Sequence, residues 1–156
     1  MLRYIGIISV SFLLTCCSGK EDQSESIGFI DSMKLFESFT MKVEYDKILE
    51  NDLLAETVAL DSLSTLINST TDAQMLTKLK REYQVADQLM NNKFEQYSMK
   101  YTKLVTARLD EYIKEFAKDK KLDIVFSGNN GTVLFVEESN DFTEEMITYA
   151  NKKFEE

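Results

Sequence analysis

"NSTTD", Asn68–Asp72, is the stretch on which the fold turns. These five consecutive residues favour turns and caps, and they interrupt a long run of helical patterning. On the N-terminal side Leu49, Leu53, Leu60, Leu63 and Ile67 follow a 4–3 spacing, with Glu56 the one polar interruption. On the C-terminal side Leu76, Leu79, Tyr83, Ala86 and Met90 keep the spacing, and Phe94, Tyr97, Tyr101, Val105, Leu109, Tyr112 and Phe116 continue it. Such a repeat is a coiled-coil-like seam. It predicts a helix over Met41–Ile67, a tight reversal with Thr71 or Asp72 as the next cap, and a returning helix over Asp72–Asp119. At 1.5 Å per residue the second helix would be about 70 Å long, far more than a compact domain needs. The two helices therefore read as an antiparallel hairpin projecting from a body.

The absence of breakers elsewhere agrees with this. Proline is missing, and the five glycines are Gly6, Gly19, Gly28, Gly128 and Gly131. From Phe29 to Ser127 nothing supplies a hinge or a kink. Outside the arms the period changes to two. "IGFID", Ile27–Asp31, reads as a short strand, with Asp31 or Ser32 capping a helix that begins "SMKLFESF". After the arms, "LDIVFS" and "TVLFVE" read as two strands joined by "GNNG", a β-hairpin. "NDFTEEM" then opens a last helix, with Asp141 as N-cap and Glu144 as its capping-box partner. Phe142, Met146, Ala150 and Phe154 form its apolar stripe.

The N-terminus has a different character. One cation, Arg3, precedes an apolar run, Tyr4–Leu14, that is too short to span a bilayer. It ends in Leu-Thr-Cys-Cys and gives way at once to "SGKEDQSES". This resembles a bacterial lipobox, with Cys17 the lipidated residue and Cys16 the alternative. A redox pair or zinc half-site is disfavoured: the two cysteines are adjacent and the chain has no histidine. The "KED" of the tether also looks like the Lys/acidic signals that send some Bacteroidetes lipoproteins to the cell surface.

The 156-residue chain carries a net charge of −9. Cleavage before Cys17 removes only Arg3, leaving 17 basic against 27 acidic residues, or −10. A surface this negative is repelled by polyanionic backbones, which argues against nucleic-acid partners. No phosphate loop, nucleophile elbow or dinucleotide fingerprint is present. Glu137/Glu138 and Glu144/Glu145 sit where solvation or a helix dipole explains them. No catalytic residue, metal or cofactor is expected, and the chain does not read as an enzyme.

The order of elements and the local residues at both ends resemble the Skp/OmpH-like periplasmic chaperones. "IGFIDSMKLFESF" is similar to that family's first strand and helix, and "KLDIVFSGNNGTVLFVEESNDFTEEMITYANKKF" to its closing β-hairpin and helix. The resemblance covers Ile27 to the C-terminus and is strongest at the two ends. It implies an α+β fold: a small β-sheet body bearing a long helical-hairpin (coiled-coil) arm, with three copies in a jellyfish-like trimer. The expected organisation is a lipoprotein signal peptide and lipobox over 1–17 and a polar tether over 18–26. A body over 27–40 and 121–156 would flank an arm over 41–120.

The resemblance further implies an ATP-independent holdase that keeps unfolded outer-membrane or envelope proteins between the arms of a homotrimer. Tyr83, Met90, Phe94, Tyr97 and Tyr101 are the candidate client contacts. Phe29, Ile124, Phe126, Val133 and Phe135 are candidates for the core of the trimer body. The protein would be exported and lipid-anchored, on the periplasmic face of the outer membrane or, if "KED" is read, on the cell surface. Well-known members are basic and untethered, and this acidic chain departs from them on both counts. The alternative is a lipid-anchored coiled-coil scaffold with one specific envelope or surface partner.

Overall fold

A computed structural model describes residues 25–128 and 133–156. The signal peptide, the two cysteines, nearly all of the tether and the "NNGT" of the expected hairpin turn lie outside the described residues. The elements are β1 (Ile27–Ile30), α1 (Ser32–Ser38), α2 (Thr40–Ser69), α3 (Ala73–Lys120), β2 (Ile124–Ser127), a 3-10 turn (Glu138–Asn140) and α4 (Thr143–Glu155).

The helix ends follow the cap chemistry. Asp31 Oδ1 accepts from the backbone N–H groups of Met33 and Lys34, 3.0 Å each, and opens α1. Asp72 Oδ1 accepts from Met75 N–H at 2.7 Å and opens α3. Between α2 and α3 only Thr70–Asp72 are non-helical, so α2 runs two residues further than its apolar pattern. The Ser69 and Thr70 hydroxyls make that extension affordable by donating to the carbonyls of Thr65 (3.0 Å) and Leu66 (2.7 Å). α3 closes with Lys121 at φ 57°, a left-handed cap whose neighbour Leu122 donates its N–H to Ala117 O at 2.9 Å.

α2 and α3 pack along each other, with partner numbers falling on one as they rise on the other. Tyr45 stacks on Tyr101, and Glu56 meets Lys93. α3 has 48 residues against 30 in α2, so it outruns its partner and enters the body. There Val105, Leu109, Tyr112 and Phe116 join Ile30, Leu35, Phe39, Met146 and Ala150 in one buried core.

α1 and α2 are separated by a single residue, Phe39, which adopts extended dihedrals and is completely buried. Its ring meets Tyr112 and Phe154 edge-to-face at 6.2 and 5.6 Å. Asn151 of α4 brackets this break. Its Oδ1 accepts from Thr40 N–H (2.8 Å), and its Nδ2 donates to Ser38 O (3.1 Å). No glycine or proline marks the break; burial of an aromatic ring and one amide side chain make it.

The expected C-terminal β-hairpin is corrected. β2 pairs with β1, in parallel, in the register Ile27↔Ile124 to Ile30↔Ser127. Val133–Glu137 has no strand assignment among the described residues, and Leu134 and Phe135 are 94% and 84% exposed. The reason is delivery: α3 and its left-handed cap set β2 down beside β1, with Asp123 N–H bonded to Ser26 O at 2.8 Å. Period-two alternation identifies an extended segment but not its partner. Gly28 allows the close approach on this strand, since a Cβ there would lie 2.7 Å from Leu122 Cδ1 and 3.1 Å from Phe142 Cδ2.

The start of α4 also differs in detail. Asp141 was expected at the N-cap, but Phe142 holds that position without a side-chain cap bond; Asp141, one residue earlier, accepts from the N–H of Thr143, the first helical residue (2.9 Å). Glu144 does not reach back; it pairs with Lys34 of α1, while Glu145 pairs with Lys120 of α3. The buried Thr143 hydroxyl donates to Asp141 Oδ1 (2.6 Å) and accepts from Asp31 N–H (2.9 Å), tying the start of α4 to the end of β1.

Candidate interaction surfaces

Two surfaces carry unspent apolar groups, one on the arm helices and one on the body. On the arm, the seam takes up much of the aromatic stripe. Tyr97 and Tyr101 stack with Tyr45 (6.0 Å from Tyr97 to Tyr101, 4.7 Å from Tyr101 to Tyr45) and are half-buried between the helices. Burial, reinforced by the Asp52 charge, pushes the Tyr101 hydroxyl above its ordinary pKa. Tyr83 and Met90 are also half-buried. Of the five candidate contacts only Phe94 is open to solvent, half-exposed.

Phe94 stands out because the seam passes through Lys93 instead. Lys93 Nζ lies 2.8 Å from Glu56 Oε1 and donates to Asp52 O at 2.7 Å. Glu56 occupies the polar interruption of the α2 seam, so an ion pair fills one layer of an otherwise apolar interface. The hydrogen bond and charge of Lys93 hold the Glu56 carboxyl below its ordinary pKa, and Glu56 holds the Lys93 ammonium above its own. The steps 90–93–97 keep 3–4 spacing as well as 90–94–97 does, so periodicity alone does not choose between them.

The apolar residues left outside the seam are Val43, Ile48, Leu54, Val58 and Leu66 on α2, and Met75, Val85, Leu89, Phe94, Met99 and Leu104 on α3, each at least 40% exposed. Most were not singled out by the sequence pattern, because a repeat scan rewards positions that fall on the seam. Their signal is the surplus: more apolar residues than one helix–helix contact can cover.

On the body, Phe29, Phe126, Val133 and Phe135 line one open groove of about 710 Å³, together with Leu134 and Val136. These are four of the five residues expected in a shared core; the fifth, Ile124, is 36% exposed on the same strand. In the single chain Phe29 and Val133 are half-buried, whereas Phe126 and Phe135 are 49% and 84% exposed. The groove thus unites the exposed half of β2 with a segment that belongs to no strand. Among the described residues no cluster of His, Cys, Asp and Glu could hold a metal. No described helix is long and apolar enough to cross a membrane.

A small two-stranded sheet with long paired helices defines the class: a mostly helical α+β chain. The outer membrane protein (OmpH-like) family matches residues 26–149, and the chain belongs to that family. A solved structure from Caulobacter crescentus CB15, assigned as an OmpH-like outer membrane chaperone, superposes with a TM-score of 0.51 at 14% identity. The match covers 97% of this chain and 92% of that one. At that identity the likeness establishes the fold. No curated protein matches the sequence.

Proposed function

We propose that this chain is an ATP-independent holdase chaperone of the bacterial envelope, acting as a lipid-anchored homotrimer whose antiparallel arms enclose unfolded outer-membrane or envelope proteins. The observation that carries this is the surplus of exposed apolar side chains, such as Leu54, Val58, Leu89 and Phe94, spread over both arm helices. Dispersed, adaptable contacts suit clients without a fixed shape, and three arms acting together raise the affinity by avidity. Membership of the OmpH-like family supports the reading, as does the assigned chaperone role of the Caulobacter protein.

In this assembly residues 27–40 and 121–156 form the body and 41–120 the arm, and the groove lined by Phe126 and Phe135 is closed by neighbouring copies. Cys17, or Cys16, carries the lipid, and the anchor places the arms on the periplasmic face of the outer membrane. The test is light scattering as a denatured β-barrel protein is diluted into buffer. Near-stoichiometric trimer should suppress aggregation, and no suppression by a well-folded trimer would refute the proposal. One tight partner in a crosslinking pull-down, without a spread of unfolded clients, would mark a scaffold instead. Cys17→Ala should release the protein from membranes; retention would move the anchor to Cys16.

A further inference from the structure

The two arm helices differ electrically. α2 carries two lysines against six acids, a net −4, whereas α3 carries ten bases against seven acids, a net +3. Little of this difference is used between them: Glu56–Lys93 is the one ion pair joining α2 to α3 among the described residues. Lys42 of α2 is engaged by Glu37 and Asp46 at 2.6 and 2.8 Å. Glu44, Glu50, Asp52 and Asp61 are exposed and form no ion pair among the described residues, and Lys47 is the one cation of α2 in the same condition.

These acids are interleaved with apolar groups. At 100° per residue Val43, Glu50, Leu54, Val58 and Asp61 fall on one stripe about 100° around the helix from the Leu53–Leu60 seam, on a flank that α3 leaves open. Val43, Leu54 and Val58 are 40%, 57% and 56% exposed on that stripe. Ile48 and Leu66, with Glu44 and Asp52 on either side of them, form a second stripe on the other flank, so the two together make up the solvent side of α2.

We infer that the solvent side of α2 takes segments of unfolded polypeptide that are both apolar and cationic. The inference rests on the holdase reading and names the chemistry of its clients. Apolar contact supplies adhesion, while four unpaired carboxylates against one lysine set the preferred sign of the ligand. An acidic segment with the same apolar content would meet like charge on both flanks.

The test uses two labelled unfolded peptides of equal length and leucine content, one with lysine and one with glutamate at every charged position. Fluorescence anisotropy with the full-length protein should show the lysine peptide binding roughly tenfold tighter at low salt, from a few tenths of a kcal/mol for each exposed pair. The difference should shrink as ionic strength rises. The variant Glu44→Gln/Glu50→Gln/Asp52→Asn/Asp61→Asn should lose it. A control that removes four acids elsewhere, Asp119→Asn/Glu138→Gln/Glu155→Gln/Glu156→Gln, should keep it.

Equal binding of both peptides overturns the inference and leaves the holdase proposal standing. A preference that survives in the four-site α2 variant also overturns it, by assigning the effect to overall charge. Copy-to-copy crosslinks formed by the variant Leu54→Cys in the unliganded protein overturn it too, because another copy then covers that stripe. Binding of neither peptide, together with no suppression of aggregation, removes both readings.

Discussion

Replacing Asn151 by alanine should loosen the junction between body and arm. This side chain accepts from Thr40 N–H and donates to Ser38 O across the one-residue break at Phe39. The Thr40 bond is partly buried, and its loss leaves a donor at the start of α2 short of a partner. The Ser38 bond is exposed, so water replaces much of it. A net hydrogen bond contributes about 1 kcal/mol, and an orphaned buried group costs about 1–3 kcal/mol. The expected loss is therefore about 1–2 kcal/mol. Asn151→Asp keeps the acceptor, now as an anion at a helix N-terminus, and loses only the exposed bond, so it should stay within about 1 kcal/mol of the wild type. Urea denaturation followed by far-ultraviolet circular dichroism, at fixed protein concentration, measures both. Hydrogen exchange at Thr40 should rise in the alanine variant and much less in the aspartate variant. Equal stability of Asn151→Ala and the parent would refute the bracketing role.

Thr143→Val removes the hydroxyl linking Asp31 N–H to Asp141 and should cost about 1–3 kcal/mol in the same denaturation assay, with Thr143→Ser recovering most of it. The Glu56–Lys93 pair predicts a pH dependence confined to the arm. Because the Glu56 pKa is depressed in the fold, its stabilisation is present above the ordinary carboxylate pKa and is lost as pH falls through the lowered one. Because the Lys93 pKa is raised, its share is lost only as pH climbs through that raised value. Glu56→Gln should flatten the acid limb, as seen in arm amide exchange between neutral and acidic pH; an unchanged limb would refute the link. Phe135→Asp bears on the body groove: at 84% exposure the charge costs a single chain little. A fall in solution mass with helicity preserved would place Phe135 in a subunit contact, whereas an unchanged mass would remove it from one.

The seam and the caps were legible because they are local. Leu53 and Leu60 are buried where the 4–3 spacing put them, and Asp31 and Asp72 cap the helices they precede. Long-range choices were not legible. Nothing in the spacing separates Lys93 from Phe94 as the seam residue; the charge of Glu56, on another helix, selects between them. Phe39 breaks a helix with no breaker residue, through partners in α3 and α4. The partner of β2 was likewise invisible, because alternation marks extended chain without saying what lies beside it. For the surfaces, the pattern found aromatics on the seam and missed Leu54, Val58 and Leu89, which face away from it.

The parallel pairing of β1 with β2 also sets an order of events during folding. Ile27 and Ile124 are 97 positions apart, so the sheet closes a loop that contains both long helices. Pairing four residues at each end does not offset the entropy of closing so long a flexible chain. Once α2 and α3 have paired, however, the chain ends emerge near one another and the remaining closure is short. The arm would then fold first from near-neighbour contacts, with the body following as a late, dependent step. In a chain that emerges N-terminus first, β1 waits without its strand partner until the whole of α2 and α3 has followed it.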